Sequence, residues 1–316
     1  MHTTYYCVMD MGTTNTRLYL CREAVILREI KDAFGARYGK FHGKDALFEQ
    51  LRLLLQRLFE ESSVNPNEVE CILAAGMAGS EIGLCEIPHI PLPADKFTLL
   101  HALQERRLDA ITPIPFLFVP GLKAVRDGRL TDLMRGEETE TVGIVNALRG
   151  GSPSVLILPG THNKIIRLDA TGCIVEFQTT MSGELLDGLV QHSILEGDVC
   201  HQFSIVPDAV LEGAEYAREY GLSAAVFHVR VMAKHHHRSV DDCTSFLYGA
   251  VLDQDTLPIR KLAKGDTVYV GGRSSLRQIY ALLLGEQASP LSDAVASDAT
   301  CRGLLQLYRL YRETNA

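Results

Sequence analysis

The sequence predicts an α/β protein built from two halves, each organised around a strand–turn–strand unit. Short apolar runs of strand character alternate with segments whose apolar residues recur at helical spacing. Two Gly- and Thr-containing turns, Asp10–Thr16 and Gly160–Asn163, each lie between two apolar strands in separate parts of the chain. A length of 316 residues agrees with two domains at roughly 150 residues each. With 46% hydrophobic and 22% charged residues, such a chain buries a sizeable core, which excludes disorder as a whole-chain description.

Tyr5–Asp10, Arg17–Cys21 and Ala24–Ile30 read as strands, being apolar, alternating and rich in Val, Ile and Leu respectively. The turn Met11–Thr16 is too short for a crossover helix, so the first two strands form a hairpin. A loop with Gly35, Gly39 and Gly43 precedes a helix at Asp45–Glu61, apolar at 47, 48, 51, 54, 55, 58 and 59. Glu70–Ala75 is a short buried strand running into Gly76-Met77-Ala78-Gly79-Ser80. A Pro-rich loop follows, then a helix at Ala94–Arg107, a strand at Ile114–Val119 and a polar loop over 122–136.

The second cycle begins with the amphipathic segment Glu137–Leu148 and the strand Ser154–Leu158, which enters Pro159-Gly160-Thr161-His162. Strands Asn163–Leu168 and Cys173–Phe177 come next. Helices follow at about 183–196, 208–219, 222–235, 239–253, 275–285 and 294–312, interrupted by the strand Thr267–Val270 before Gly271-Gly272. The pattern predicts a domain at 1–110 and another at 111–316, facing one another across a cleft, with the last helix packing back on the first domain.

Thirty-one basic against thirty-nine acidic residues give a net charge of −8. The basic residues form no stripe, which argues against a nucleic-acid partner. The eight cysteines are scattered without a C-x-x-C pair, the pattern of a reduced, cytoplasmic protein. The N-terminus has no secretory-leader pattern, and no apolar run approaches the roughly 18 residues of a membrane span.

Asp10-Met11-Gly12-Thr13-Thr14-Asn15-Thr16-Arg17 is the sharpest local signal. A Gly in a tight hairpin lets backbone N–H groups approach a phosphate, flanking hydroxyls add donors, and an Asp ending the first strand suits a hydrated Mg²⁺. A plain hairpin turn uses the same residues. The same pair of readings applies to Gly160 and Thr161, with Lys164 as a nearby point charge. Gly271 and Gly272, after a buried strand and before a helix, permit close approach of a base or ribose, or serve packing.

In Met134-Arg135-Gly136-Glu137-Glu138-Thr139-Glu140 a carboxylate at a helix start is either a dipole partner or a general base, beside an Arg suited to a carboxylate. Thr179–Leu185 reads as a helix N-cap. The His235-His236-His237 run lacks partners at zinc spacing and reads as a basic helix end.

The order of the three glycine turns (phosphate, phosphate, base) resembles the actin/hexokinase/Hsp70 ATPase superfamily. More closely, the chain resembles the 2-dehydro-3-deoxygalactonokinase family. The closer match lies in Asp10–Arg17, Ala75-Gly-Met-Ala-Gly-Ser80, Met134-Arg-Gly-Glu-Glu-Thr139, Leu158-Pro-Gly-Thr-His-Asn-Lys164 and Phe177–Leu185. The resemblance implies a two-domain actin-like (ribonuclease H-like) ATPase fold with an interdomain cleft. It also implies an ATP- and Mg²⁺-dependent kinase acting on the 6-hydroxyl of 2-dehydro-3-deoxy-D-galactonate.

By the same resemblance, Glu137 is the catalytic base with Glu138 in reserve, Asp10 and Arg135 complete the catalytic set, and Asp10 holds the metal. Gly12, Thr13, Thr14, Asn15, Arg17, Gly160, Thr161, Lys164, Gly271 and Gly272 would bind ATP, while Gly76, Met77, Ser80 and Arg135 would bind the sugar acid. The implied partners are ATP and a small sugar acid, with no nucleic acid and no membrane; a homodimer stays open. Where the family often carries Trp, this chain has Met11, Leu84 and Ile165, and it has no Trp at all. Another sugar acid as substrate, or a nucleotide-binding ATPase or regulatory paralogue of the same superfamily, are the alternatives.

Overall fold

The computed structural model describes residues 5–315. The chain divides into two compact units: one runs to Arg149 and resumes at Asp298, and the other is Gly150–Ser297.

The first unit opens with β1 (Tyr5–Met11), β2 (Thr16–Arg22) and β3 (Val25–Asp32), followed by α1 (Ala36–His42), α2 (Lys44–Ser62) and β4 (Val69–Gly76). Next come β5 (Ile90–Pro91), α3 (Lys96–His101), β6 (Gln104–Leu108), β7 (Thr112–Phe118), β8 (Leu122–Arg126), β9 (Arg129–Met134) and α4 (Glu137–Val145). Its main sheet has the order β3-β2-β1-β4-β7-β6, and β5-β8-β9 form a small second sheet. The hairpin pairs Asp10 with Arg17 and Met11 with Thr16, while parallel pairing puts Asp10 beside Ala75 and Met11 beside Gly76. Leu47, Leu51, Leu54, Leu55, Leu58 and Phe59 form the buried face of α2. They join a core with Cys7, Met9, Leu18 and Ile72 from the sheet, each such apolar side chain contributing about 1.5–3 kcal/mol on burial.

The second unit contains β10 (Ser154–Leu158), β11 (Asn163–Leu168), β12 (Ile174–Thr180), α5 (Ser182–Gln191), α6 (Pro207–Tyr220), α7 (Leu222–Lys234), α8 (Val240–Leu252) and α9 (Thr256–Ala263). It ends with β13 (Val268–Val270), α10 (Ser274–Leu284), β14 (Ala288–Pro290) and α11 (Asp293–Ala296). Its sheet order is β12-β11-β10-β13-β14. Antiparallel β12-β11-β10 followed by parallel β13 and β14 repeats the scheme of β3-β2-β1 followed by β4 and β7.

The final helix, α12 (Ala299–Asn315), belongs to the first unit. Tyr308 stacks on Tyr6 with ring centroids 3.5 Å apart, and its hydroxyl donates to Glu70 at 2.9 Å. Where α12 crosses α4 both helices need glycine: a Cβ on Gly143 would lie 1.9 Å from the Ala299 carbonyl, and one on Gly303 2.0 Å from that of Thr139. Gly143→Val is therefore expected to destabilise the protein by about 1–3 kcal/mol through overpacking. A urea titration checks this, and an unchanged midpoint would show that α4 and α12 separate at little cost.

Several elements differ from the sequence expectation. The expected domain boundary at 110 falls inside the first unit, because β7 pairs in parallel with β4 and carries the chain onward in the same sheet. Arg135 and Glu137 thus sit in the same unit as Asp10. The helix expected over Ala94–Arg107 stops at His101, and Gln104–Leu108 instead forms an edge strand, with Gln104 opposite Phe118 and Arg106 opposite Phe116. The expected loop at 122–136 is the β8–β9 hairpin, turning at Asp127-Gly128 with both φ positive, the dipeptide that favours such a turn. The loop expected around Gly39 is helix α1, and α9 is a helix that the sequence reading did not resolve.

Candidate active site

In the first unit, β1 delivers Asp10 to the end of the sheet and the chain turns back through Gly12–Asn15. The Gly12 N–H donates to the Asn15 carbonyl at 2.8 Å, and the Asn15 side chain donates to Thr14 Oγ1 at 2.9 Å. Thr14 and Asn15 are exposed, with Gly12 and Thr13 partly so. A helix N-terminus holds this turn from behind: Ala36 N–H donates to the Gly12 carbonyl and Arg37 N–H to that of Thr13, both at 3.0 Å. Gly35 makes the approach possible, since a Cβ there would lie 2.4 Å from the Gly12 oxygen.

The second unit repeats the device. Glu184 N–H, in the first turn of α5, donates to the Thr161 carbonyl at 2.8 Å, and a Cβ on Gly183 would lie 1.9 Å from the Gly160 oxygen. Below the turn is a buried polar network. Asn163 Oδ1 accepts from the Gly160 N–H at 3.0 Å, and its Nδ2 donates to Asp255 Oδ2 at 2.9 Å. Asp255 also accepts from Tyr280 Oη at 2.5 Å and Ser182 Oγ at 2.7 Å. One carboxylate on the 3₁₀ turn before α9 thereby ties together β11, α5 and α10.

A Cβ on Gly12 meets nothing closer than 3.4 Å, and one on Gly160 nothing closer than 3.7 Å. Packing within the chain does not demand glycine at either position, and the absence of a side chain leaves the backbone there open to approach. Gly271 and Gly272 lie beside the second turn: the Gly271 N–H donates to the Ile157 carbonyl at 2.8 Å, and a Cβ on Gly272 would lie 3.0 Å from Pro159. Arg277 donates to the Gly272 carbonyl and pairs with Asp293, which fixes the loop. Lys164 is 5% exposed on β11, within the sheet.

The segment 134–140 completes the first unit's cluster. Gly136, with φ 111°, packs against the end of β4, so that a Cβ on it would lie 3.3 Å from the Gly76 Cα. A Cβ on Gly76 would in turn lie 3.5 Å from Asp10 Oδ1. Gly76 thus lies between Asp10 and Gly136, and the charges of Glu137 and Asp10 both act on Glu140. Met77 leads into a 3₁₀ turn closed by Ser80 Oγ donating to the Met77 carbonyl at 2.7 Å, and Arg135 lies over Gly79. Arg135 Nη2 donates to the Ile87 carbonyl at 2.6 Å, while its Nη1 is buried with no hydrogen-bond partner. Arg17 pairs with Asp298 at 3.5 Å.

Three glutamates open α4 with different surroundings. Glu137 is partly exposed, whereas Glu138 is fully buried. Both Glu138 oxygens accept from the Gly136 N–H, at 2.9 and 2.7 Å, and Oε1 accepts from Thr139 Oγ1 at 3.1 Å. Its carboxylate is therefore committed to the turn. Burial, with the Glu137 charge, pushes Glu138 up to about 8 against those hydrogen bonds. Burial and the charges of Glu137, Asp10 and Glu138 likewise push Glu140 up to about 8, opposed by Arg302. Asp10 is raised by burial and drawn down by Arg17.

The raised Glu138 and Glu140 have a consequence for stability. The unfolded chain loses these protons near pH 4.5 and the folded chain near 8, so the folded state holds more protons between those values. Stability therefore falls as pH rises from about 4.5 to 8 and levels off above. Glu138→Gln is expected to flatten that decline in thermal melts taken from pH 5 to 8.5. A variant whose Tm follows the wild-type slope would contradict the assignment.

Sequence reasoning missed the two helix N-termini behind the glycine turns, the Asp255 network and the burial of Glu138. Gly35 and Gly183 were the readable signals for the first. An acidic residue at the end of the apolar α8 segment was the only trace of the second.

Known proteins resemble this chain in sequence and in fold. A Rhizobium meliloti protein assigned by name as a 2-dehydro-3-deoxygalactonokinase is 29% identical over 310 residues, covering 95% of each chain. The 2-dehydro-3-deoxygalactonokinase of Escherichia coli is 29% identical over 194 residues, covering 61% of this chain and 59% of its own. The crystal structure of a Sinorhizobium meliloti protein with the same assignment superposes with a TM-score of 0.78 at 25% identity, covering 96% of each chain. An ADPNP-bound activator of a Clostridium difficile dehydratase superposes with a TM-score of 0.53 at 11% identity, over 98% of this chain and 97% of its own. That likeness is one of fold, the actin-like (ribonuclease H-like) ATPase fold of the superfamily. The sequence profile of the family described as 2-keto-3-deoxy-galactonokinase matches residues 10–307, and the chain belongs to that family of ATP-using kinases, which transfer phosphate to an alcohol group of a sugar acid.

Proposed function

We propose that the protein phosphorylates the 6-hydroxyl of 2-dehydro-3-deoxy-D-galactonate, with Glu137 as general base and Arg135 as the partner of the substrate carboxylate. The observation that carries this reading is the buried, unpartnered Nη1 of Arg135 two residues before Glu137. It supplies an anion-recognising donor for one end of a sugar acid on the same short segment that carries the candidate proton acceptor for the hydroxyl at the other end. Glu137 takes the role in preference to Glu138, whose buried oxygens hold the Gly136 N–H. Gly76, Met77 and Ser80 would frame the sugar next to Arg135.

The hydroxyl proton passes to Glu137 as the hydroxyl oxygen bonds to the γ-phosphorus. The bond to the β-phosphate oxygen breaks, ADP leaves, and the proton is later released to water. Backbone N–H groups and hydroxyls at Gly12, Thr13, Thr14 and Asn15, with Arg17 nearby, would orient the triphosphate in one unit. Gly160, Thr161 and Lys164 would do so in the other, with Gly271 and Gly272 against the adenosine. Exclusion of water from the reacting groups favours transfer over hydrolysis.

Asp10 would hold Mg²⁺. The fit is that of an ion held by one or two carboxylates together with phosphates and water: a single carboxylate, Asp10, stands near the end of β1 next to Gly76. When bound, the ion would supply neutralisation of the phosphate charge.

Product analysis tests the regiochemistry. Phosphorus–proton coupling to the C6 methylene is expected in the product. Phosphate on another carbon would overturn the assigned hydroxyl, and free phosphate alone would favour a phosphatase or ATPase. No helix of the described residues is long and apolar enough to cross a membrane.

A further inference from the structure

We propose that His89 is a positioning residue that sets selectivity for a sugar acid over a neutral sugar, by holding the Arg135 guanidinium so that Nη1 is left for the carboxylate. The inference rests on the reading of Arg135 given above. Arg135 Nη2 has two partners: the Ile87 carbonyl at 2.6 Å and His89 Nδ1 at 3.3 Å. An arginine nitrogen only donates, so Nδ1 accepts and the imidazole proton sits on Nε2, a tautomer assigned from its partner.

The surrounding chain is built for this arrangement. Ile87 is fixed by its own N–H donating to the Gly79 carbonyl at 2.9 Å. A Cβ on Gly79 would lie 2.8 Å from Nη1, so any side chain there displaces the guanidinium. His89 immediately precedes β5, whose Ile90 N–H donates to the Gly121 carbonyl at 2.9 Å, so the small sheet anchors the backbone beside it. The His89 ring packs so close to Gly121 that a Cβ there would lie 2.6 Å from its Cδ2.

Two partners on Nη2 immobilise the fork. That leaves Nη1, a buried donor of a permanently charged group, without a protein acceptor. A buried donor of this kind is costly to leave unsatisfied, and an anionic oxygen satisfies it best. His89 supports the role by staying neutral: burial first, then the charges of Arg135 and Lys123, push it down to about 4. The imidazole thus keeps its accepting lone pair across the physiological range. Had it been protonated, it would repel the guanidinium that it now orients.

The test uses the whole protein with two acceptors: the sugar acid and its neutral analogue, in which the C1 carboxylate is reduced to hydroxymethyl. Wild type, His89→Phe and His89→Asn are compared, with His89→Leu in place of the Phe variant if thermal melts show that it does not fold. Wild type should favour the acid. His89→Phe should lower the acid-to-neutral ratio of kcat/KM by about tenfold or more, through KM for the acid, with kcat and KM for ATP within about threefold. His89→Asn, which keeps an acceptor near the Nδ1 position, should restore the ratio to within about threefold of wild type.

An unchanged ratio in His89→Phe overturns the inference. So does an equal loss in both variants, because the acceptor would then not be the cause. A wild-type enzyme with no preference for the acid overturns the reading of Arg135 itself, and that outcome is visible before any variant is assayed.

Discussion

Glu137→Gln is expected to lower kcat by about 10²–10⁴-fold, the usual contribution of a positioned general base, while KM for ATP changes by less than about threefold. Glutamine keeps the shape and a carbonyl oxygen, so substrate still docks, but no group is left to take the hydroxyl proton. The contrast with Glu138 sharpens the expectation. Glu138 accepts at the Gly136 N–H through both oxygens and is fully buried, so Glu138→Gln should act mainly on stability and its pH dependence. Rapid-quench measurement of the first turnover separates chemistry from product release. Near-wild-type turnover in Glu137→Gln, with a large loss in Glu140→Gln, would move the base one turn along α4.

Asp10→Ala should be equally damaging for a different reason. Its carboxylate stands near the end of β1 next to Gly76, where the phosphate charge of a bound nucleotide would need a counter-ion anchor. Losing several kcal/mol of transition-state charge stabilisation corresponds to about 10³-fold or more in kcat. Folding should survive the change. Burial already disfavours the charged form of Asp10, more strongly than Arg17 favours it, so the native state gains little from this group near neutral pH. The expected pair of results is lost transfer and an undiminished Tm at pH 7.5. A large drop in Tm would assign Asp10 to the framework, and retained transfer would remove it from the site.

The glycine turns were legible because their chemistry is local. A strand, an Asp, a Gly and hydroxyls stand in sequence order, and the structure keeps them in that order at the end of β1. The repeat of the β3-β2-β1-β4-β7 scheme as β12-β11-β10-β13-β14 was only partly visible, through the two hairpins. Its parallel partners arrive from far along the chain, and β13 has just three residues. For the same reason β6 read as helix: Gln104–Leu108 has strong helix formers, and the exposed edge it adds to β7 outweighs that propensity.

The β8–β9 hairpin was different, since Asp127-Gly128 announced it and only the polar composition of 122–136 hid the signal. At the site, the spacing of Glu137 and Glu138 could not say which carboxylate is buried. That was decided by the positive φ of Gly136, which brings its N–H onto Glu138. The network around Asp255 escaped notice because its members, Asn163, Ser182 and Tyr280, come from three separate elements.

Acceptor-dependent ADP formation with MgATP tests the central claim most directly. Turnover is expected with 2-dehydro-3-deoxy-D-galactonate, with far less on simple hexoses and only background without an acceptor; the gluconate-derived epimer, which differs at one stereocentre, shows how finely the site discriminates. Equal ADP formation with and without the acid, or turnover confined to neutral hexoses, would contradict it.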